Sequence, residues 1–235
     1  MSLFLRFPGF RRKAVTLSYD DGVVEDKQLI DILNRHGLKG TFNINSELFT
    51  AERRLKKDEI IKLFSGSPHE VAVHGARHLS LTEVDEALAT RDVLRDRENL
   101  ETIFERIIKG MAYANGATNG RVINILKHCG IKYARTAGQT ESFYLPEDWY
   151  RWTGTCHHNH PKLMDLANPK LMDLANTLEN VRIYGMRLME RYMTMYRHII
   201  DWNTLQMDKL FTIQQTKTYT FVIIRRMYSF RQERC

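Results

Sequence analysis

Two short stretches of the chain carry residue types that could bind a metal ion and activate water. Asp20 and Asp21 close an apolar, strand-like run and are followed by glycine. His74 and His78 follow the β-branched run at residues 71–73. Paired acids are common in solvated turns, and paired histidines are common at protein surfaces. Because both motifs end separate predicted strands, the sequence favours one shared site.

One carboxylate and two imidazoles form a ligand set for Zn²⁺, Fe²⁺, Co²⁺ or a similar ion, with coordination positions left open for water. Asp21, His74 and His78 are the predicted ligands. Asp20 is their neighbour, and we expect it to act as the general base that takes a proton from the metal-bound water. A bound divalent cation would also favour the ionised form of both aspartates.

The elements that must position these residues alternate between strands and helices. Strands are predicted at residues 14–19, 40–44, 71–73, 109–114 and 131–136. Helices are predicted at residues 25–36 with Gly37 as C-terminal cap, at 58–64 with Asp58 as N-cap, at 80–108 with a capping box at 80–83, and at 122–129. This alternation predicts a parallel sheet with right-handed crossovers.

The number of strand–helix units indicates the fold class. Five such units within the first 136 residues favour a complete or partial α/β barrel over a small open sheet. Reactive groups in barrels gather at the C-terminal ends of the strands. Asp20, Asp21, His74 and Asn115 all fall at such ends, so topology and chemistry agree.

Composition is that of an ordinary soluble globular protein, with 43% hydrophobic and 27% charged residues. No apolar run approaches the roughly 20 residues that span a bilayer. The N-terminal residues do not have the pattern of a secretory signal, so we expect a cytoplasmic protein. Three cysteines at unrelated spacings argue against a disulfide framework.

The net charge of +7 is concentrated near the C-terminus, where residues 180–235 hold ten Lys/Arg and four Asp/Glu. This surplus lies apart from the acid and histidine motifs. A solvated helix face is therefore a better interpretation than contact with phosphates or an anionic surface, and nucleic acid is not an expected partner. The sequence does not indicate an oligomeric state.

The last third of the chain differs in character from the rest. Residues 161–168 are repeated letter for letter as residues 169–176, which is too short for a solenoid unit and indicates a local duplication or a sequence error. A helix at 186–200 and a buried strand at 219–224 are predicted beyond it. We therefore predict a barrel domain at residues 1–168 and an atypical basic segment at 169–235 that completes or flanks it.

The two motifs are also familiar. Residues 18–22, S-Y-D-D-G, resemble the T/S-F/Y-D-D-G first motif of the polysaccharide deacetylase family, carbohydrate esterase family four. Residues 74–78, H-G-A-R-H, are similar to its H-(S/T)-x-x-H second motif, with glycine in the small-residue position. The resemblance covers about residues 12–168 of the chain.

This resemblance carries expectations for fold and chemistry. It implies an irregular (β/α) barrel with fewer than eight parallel strands. It also implies Asp20 as general base and Asp21, His74 and His78 as ligands of a divalent ion, Zn²⁺ first, with Co²⁺, Fe²⁺, Mn²⁺ or Ni²⁺ as alternatives. The reaction implied is metal-assisted hydrolysis of N-acetyl groups on an amino sugar or polysaccharide.

The later motifs of the family are altered here. Its third motif, R-x-P-(F/Y)-G, corresponds to residues 112–116, A-Y-A-N-G, which lack the arginine and the proline. By the resemblance, that arginine would pair with the catalytic aspartate, and we hypothesise that Arg135 on the next strand replaces it. Asn115 lies where an oxyanion-binding amide is expected and is a candidate substrate contact, although an ordinary turn is as good an interpretation.

The fourth motif is similar to Asp148-Trp149, and Trp149 could form a wall for a sugar ring, although core packing is the commoner use of tryptophan. Residues 156–160, C-H-H-N-H, favour a polar loop, with a second set of metal ligands as one alternative. A general-acid role for His157 or His158 is another, with His158 as the candidate. The last motif of the family, L-x-H, which carries that acid, is not found after these motifs, where His198 is the only later histidine and its context does not match.

The sequence thus predicts a metal-dependent deacetylase that acts on an N-acetylated glycan or a small amide. One alternative is a catalytically impaired relative that binds glycan or metal without turnover, since the third motif is altered and the last is missing. Another is a hydrolase of a non-sugar amide, because the sequence reveals no sugar-specific pocket.

Overall fold

A computed structural model describes residues 13–142, 146–163, 166 and 219–225, with the backbone alone at residues 13–14 and 219–225. Its strands are β1 (Lys13–Asp20), β2 (Gly40–Ile44), β3 (Glu70–Val73), β4 (Gly110–Ala112), β5 (Tyr133–Gln139), β6 (Trp152–Gly154), β7 (Cys156–His157) and β8 (Tyr219–Arg225). Its helices are α1 (Asp26–Arg35), α2 (Lys57–Phe64), α3 (Glu86–Phe104) and α4 (Gly120–His128), with single 3₁₀ turns at Ala114–Gly116 and Trp149–Arg151.

The described strands form one sheet in the order β6-β5-β4-β3-β2-β1-β8-β7. β1 to β6 pair in parallel, whereas β8 runs antiparallel to both β1 and β7. The six parallel strands curl into a half-barrel flanked by helices. The predicted α/β class and the irregular (β/α) barrel with fewer than eight parallel strands are therefore confirmed.

Helix α1 forms largely as its sequence predicts. Leu29, Ile30 and Leu33 recur at helical spacing and are buried against the sheet. Gly37 follows the helix with φ of +64°, and the next amide, Leu38 N, donates to Leu33 O at 2.8 Å. Only glycine adopts that left-handed conformation without steric cost, so the predicted C-terminal cap is confirmed.

The main departure concerns the start of α3. The helix begins at Glu86, and Asp85 is its N-cap, accepting from Leu88 N at 2.8 Å. The predicted capping box at residues 80–83 is wrong, because no helix begins there and Ser80 Oγ accepts from Asn115 Nδ2 at 2.8 Å instead. Arg121 donates to the carbonyl oxygens of Leu81 and Val84, each at 2.9 Å, and so holds this segment as a turn.

Two smaller predictions are also corrected. Asp58 does not cap α2, since it lies inside the helix, and the Glu59 side chain accepts from the amide of Lys56 at 2.9 Å instead. Residues 156–160, predicted as a polar loop, begin with the short strand β7, whose Cys156 pairs with Phe221 of β8. A strand of this length has no apolar run that could reveal it in the sequence, and only its pairing with β8 defines it.

The C-terminal predictions are tested in part. β8 confirms the strand predicted at residues 219–224, while its predicted burial and the helix predicted at 186–200 lie outside the described residues. The division into a barrel domain at 1–168 and a segment at 169–235 stays a prediction. Within the described part of the chain, no helix combines the length and the apolar character needed to cross a membrane.

The core that supports the parallel strands is centred on Phe42. Its side chain is 1% exposed, and its ring centroid lies 5.4 Å from that of Tyr19 on β1 and 5.1 Å from that of Phe64 on α2. It therefore connects two strands and a helix directly below the strand ends that carry the acid motif.

We expect Phe42→Ala to lower the free energy of unfolding by about 3–5 kcal/mol, because it leaves a cavity and removes two ring contacts. Urea unfolding followed by circular dichroism measures this. Ile107→Ala is the control, since Ile107 is 69% exposed and its truncation should change little. Equal losses in the two variants would contradict the central role of Phe42.

Candidate metal centre

The C-terminal ends of β1 and β3 meet across β2. Asp20 ends β1 and is the register partner of Asn43 on β2, and Asp21 N donates to Asn43 O at 2.8 Å. On the other side, His74 N, just after β3, donates to Ile44 O at 3.2 Å. Both motifs therefore leave the sheet at the same edge, which is where the sequence predicted that they would converge.

Three donor atoms of these motifs form a compact set. Asp21 Oδ1 lies 3.6 Å from His74 Nε2 and 3.5 Å from His78 Nε2, and the three ligand atoms lie within 4.8 Å of one another. Donors that share one first-row ion are separated by about 3–3.5 Å, since each bond to the ion is about 2.0–2.2 Å long. Asp21 Oδ1 is also buried, and although it forms an ion pair with Arg54 it accepts no hydrogen bond. The residues therefore fit a divalent cation.

The imidazoles are prepared as neutral ligands. His74 Nδ1 contacts Ala112 O at 2.9 Å, so this nitrogen carries the proton and Nε2 keeps its lone pair. Burial lowers the pKa of His74 in spite of the nearby Asp20 carboxylate. Burial, and then the charges of His74 and Arg54, also lower the pKa of His78. Neutral histidine is the form that binds a metal ion.

Asp20 lies beside this set in a dense hydrogen-bond network. Its Oδ1 accepts from Arg135 Nη2 and, at 2.9 Å, from Asn43 Nδ2. Arg135 Nε also donates to Ser18 Oγ at 2.9 Å. Burial alone would raise the pKa of Asp20, but the charges of Arg135 and His74 and these hydrogen bonds lower it below its ordinary value. The carboxylate is thus kept ionised in a buried position.

Asp21 forms an ion pair with a different arginine, Arg54. Arg54 Nη1 lies 2.8 Å from Asp21 Oδ1 and also donates to Asp21 O. The segment that carries Arg54 is fixed to the turn after β1, through a bridge to Val23 and a 2.8 Å hydrogen bond from Leu55 N to Gly22 O. The guanidinium therefore shares the oxygen atom that faces the two imidazoles.

The family model for polysaccharide deacetylases matches residues 8–134, which is more than half of the chain. The chain belongs to the polysaccharide deacetylase family. The family recognised from the two motifs is therefore confirmed. A search of curated proteins finds no match.

Solved structures of polysaccharide deacetylases have a similar fold. A polysaccharide deacetylase from Bacillus cereus is 19% identical, with a TM-score of 0.51 over 58% of this chain and 44% of that one. A putative polysaccharide deacetylase from Bacillus anthracis is 18% identical over the same shares, with a TM-score of 0.50. The BpsB deacetylase domain from Bordetella bronchiseptica is 11% identical, with a TM-score of 0.50 over 59% of this chain and 69% of that domain. The chain spans less than half the length of the two Bacillus proteins.

The altered third motif in this member of the family has a structural counterpart. Ala112 stands where the family motif has arginine, and its register partner on β5 is Arg135. Side chains of register partners lie on the same face of a sheet, so Arg135 extends from the adjacent strand toward the same region. The structure thus brings Arg135 to Asp20, as hypothesised, while its role in catalysis stays a prediction.

The two candidate substrate contacts lie in different places, since Asn115 follows the C-terminal end of β4 whereas Trp149 precedes β6. Asn115, with φ of 59°, donates from Nδ2 to Ser80 Oγ at 2.8 Å, two residues beyond His78. Trp149 packs edge-to-face on Trp152, with ring centroids 5.2 Å apart. Their roles in binding substrate stay predictions.

His157, in the histidine-rich segment 156–160, lies near enough to Asp20 to interact with it electrostatically. The His157 and His158 ring centroids are 4.2 Å apart. Burial, His158 and Arg135 lower the pKa of His157 to about 4, against an opposing effect of Asp20. His160 Nε2 instead contacts Glu141 Oε1 at 3.1 Å, so it has a separate partner. The general-acid role of His158 stays a prediction.

Sequence reasoning missed Asn43 and Arg54. Asn43 Nδ2 donates to Ser18 Oγ, Tyr19 O and Asp20 Oδ1, so it fixes the end of β1. A signal for Asn43 existed, because an amide side chain stands between Phe42 and Ile44 in a strand that is buried throughout. Arg54 gave no local signal, since it is one of several charged residues in a surface-like segment.

We expect Arg54→Met to bind Co²⁺ about tenfold more tightly than the wild type, because a positive charge beside Asp21 Oδ1 opposes a divalent cation. Titration calorimetry of metal-free protein measures the affinity. Arg53→Met is the matched control, since Arg53 is exposed and pairs with Glu25. Weaker binding in Arg54→Met would mean that the hydrogen bond to Asp21 O matters more than the charge.

Proposed function

We propose that this chain is a metal-dependent hydrolase that removes N-acetyl groups from amino sugars or polysaccharide. The observation that carries this proposal is the convergence of Asp21 Oδ1, His74 Nε2 and His78 Nε2 within 4.8 Å, beside the Asp20 carboxylate. Family membership supports the reaction class, which is hydrolysis of an amide bond on a carbohydrate.

Asp21, His74 and His78 would hold the cation. When bound, the cation supplies a Lewis acid that polarises the acetyl carbonyl and lowers the pKa of water. Two neutral imidazoles and one carboxylate suit Zn²⁺, and Co²⁺, Fe²⁺, Mn²⁺ or Ni²⁺ can occupy a similar set.

Asp20 would take the proton from the attacking water. Its carboxylate is held by Arg135 and Asn43 next to the ligand set, and these contacts keep it ionised. A base must be unprotonated and fixed within reach of the water, and this arrangement supplies both conditions.

The departing amine needs a proton, and we assign its transfer to His158. Its neighbour His157 has a pKa lowered to about 4, so His157 is uncharged at neutral pH and is a poor proton donor. Asn115 and Trp149 would contact the acetyl group and the sugar ring. The assignment of Asn115 rests on its position after β4, and that of Trp149 rests on residue type alone.

Acetate release from N-acetylglucosamine oligomers tests the proposal. With Zn²⁺ or Co²⁺ restored after chelation, the wild type should release acetate. Asp20→Asn should lower kcat at least about a hundredfold with the metal retained, because it removes only the base. His78→Ala should lose both metal and activity. His128→Ala is the control, since His128 is exposed on α4.

A catalytically impaired relative is the second candidate function. Two absences favour it: arginine and proline are missing from residues 112–116, and no L-x-H motif follows residue 149. Metal binding that depends on Asp21 and His78, together with no acetate release, would support this candidate. Release of acetate from a simple N-acetyl amide but not from oligomers would instead support a non-sugar amide as substrate.

We expect Arg135→Ala to lower kcat and to move the acidic limb of the pH–rate profile to higher pH. Arg135 lowers the pKa of Asp20, so its loss raises that pKa, and the base then becomes protonated at a higher pH. The measurement is kcat as a function of pH, from about pH 4 to about pH 9.

An arginine introduced at the position where the family motif has one should rescue the Arg135→Ala variant. Adding Ala112→Arg to Arg135→Ala should restore part of kcat and return the acidic limb, since residues 112 and 135 are register partners. Arg151→Ala is the control, because Arg151 is exposed and pairs with Asp148. An unchanged rate and profile in Arg135→Ala would remove the proposed role of this residue.

A further inference from the structure

The ligand loop, residues 74–78, is held by polar side chains from two other elements. Asn45, just after β2, donates from Nδ2 to His74 O at 3.0 Å and to Gly75 O at 2.7 Å. Asp96 on α3 accepts from His74 N at Oδ2, 2.9 Å, and from Ser46 N at Oδ1, 2.8 Å. One carboxylate thus ties the end of β2 to the first histidine of the loop.

Asp92, one helical turn before Asp96, holds the middle of the ligand loop. Its Oδ1 accepts from Arg77 N at 3.1 Å, and its backbone oxygen accepts from Ala76 N at 3.4 Å. Its other oxygen, Oδ2, lies under Gly75, where a Cβ would come within 2.6 Å of it. Gly75 also has φ of +79°, so glycine is required by both the backbone and the space.

The burial of these side chains is unusual for their chemistry. Asn45 and Asp92 are each 1% exposed and Asp96 is 0% exposed. Burying carboxylates is costly, and apolar packing would join α3 to β3 at lower cost. These side chains form hydrogen bonds to backbone groups of the ligand loop and of the end of β2. The hydrogen bonds offset the free-energy cost of burial and at the same time fix the backbone of the loop.

We propose that Asn45, Asp92 and Asp96 are positioning residues that fix the backbone of the ligand loop, so that the imidazoles of His74 and His78 face Asp21. They act through the loop and do not themselves bind the ion. This inference rests on the proposed function, because it requires the ligand set to bind a divalent cation.

The loss of either carboxylate should therefore weaken metal binding without removing a ligand. Groups that orient metal ligands typically change affinity about 10–100-fold. Asp96→Asn replaces one acceptor with an N–H₂ group that opposes a backbone N–H, and Asp92→Ala removes the acceptor for Arg77 N. In both variants the three donor atoms remain present but are less well aligned.

The test is a Co²⁺ titration of metal-free protein followed by visible absorption, at a temperature where circular dichroism shows every variant folded. Asp96→Asn and Asp92→Ala should each weaken Co²⁺ binding about 10-fold or more and alter the absorption band, which reports ligand geometry. Glu101→Gln is the matched control, because Glu101 on the same helix accepts from Ile108 N at 2.9 Å in a different loop. Its affinity and spectrum should equal those of the wild type.

Two results separate the failure of this inference from that of the proposed function. If the wild type binds Co²⁺ no better than Asp21→Ala, the proposed metal site is wrong. If the wild type binds Co²⁺ at a site that Asp21→Ala abolishes, while Asp96→Asn and Asp92→Ala match the wild type in affinity and spectrum, the positioning role alone is overturned. Should Asp96→Asn not fold, Gly75→Ala supplies the second variant, and wild-type behaviour in it would likewise overturn the inference.

Discussion

The parallel pairing of β1, β2 and β3 is the constraint on which the candidate site depends. Neighbouring strands lie about 4.8 Å apart, so the ends of β1 and β3 are about 9.6 Å apart with β2 between them. Side chains from both ends span that distance and meet above β2, which is why Asp21 and His74 approach each other. Asn43, at the end of β2, occupies the middle and holds Asp20. A change in strand order would separate the carboxylate from the imidazoles.

The charges of the site are balanced by specific partners. Asp20 pairs with Arg135, Asp21 pairs with Arg54, and both imidazoles are kept neutral. These two ion pairs give the adjacent aspartates different surroundings. Asp20 Oδ1 accepts from Arg135 and Asn43, whereas Asp21 Oδ1 faces the two imidazoles. Adjacent positions in the chain thus acquire distinct chemistry from their neighbours in space.

The arginine that pairs with Asp20 illustrates how a site can be kept while its motif changes. The family pattern has arginine on β4, and this chain has Ala112 there, with Arg135 as its partner on β5. A small residue on one strand leaves room for a long side chain from the next, and a guanidinium can reach the same carboxylate from either strand. The motif is altered in the sequence, but the ion pair that it supplies is present.

Much of the fold and of the ligand set could be predicted from the sequence because the signals are local. Apolar runs, helix caps and Gly37 reflect interactions within a few residues, and they located five strands and four helices. The acid and histidine motifs were recognisable for the same reason, since each lies within one short segment. Arg135 could be suggested only because a motif residue was missing.

Only the tertiary structure decided which side chains hold those segments in place. Asp96 binds the amides of Ser46 and His74, which lie 50 and 22 residues away in the chain, and Asp92 binds the amide of Arg77. In the sequence these carboxylates are two more charges on a charged helix, with nothing to distinguish them from exposed neighbours. Their partners are backbone groups, which every residue carries, so no residue pattern could reveal them. The sequence determined which groups are available for chemistry, and the packing of α3 against β2 and β3 decided where they are held.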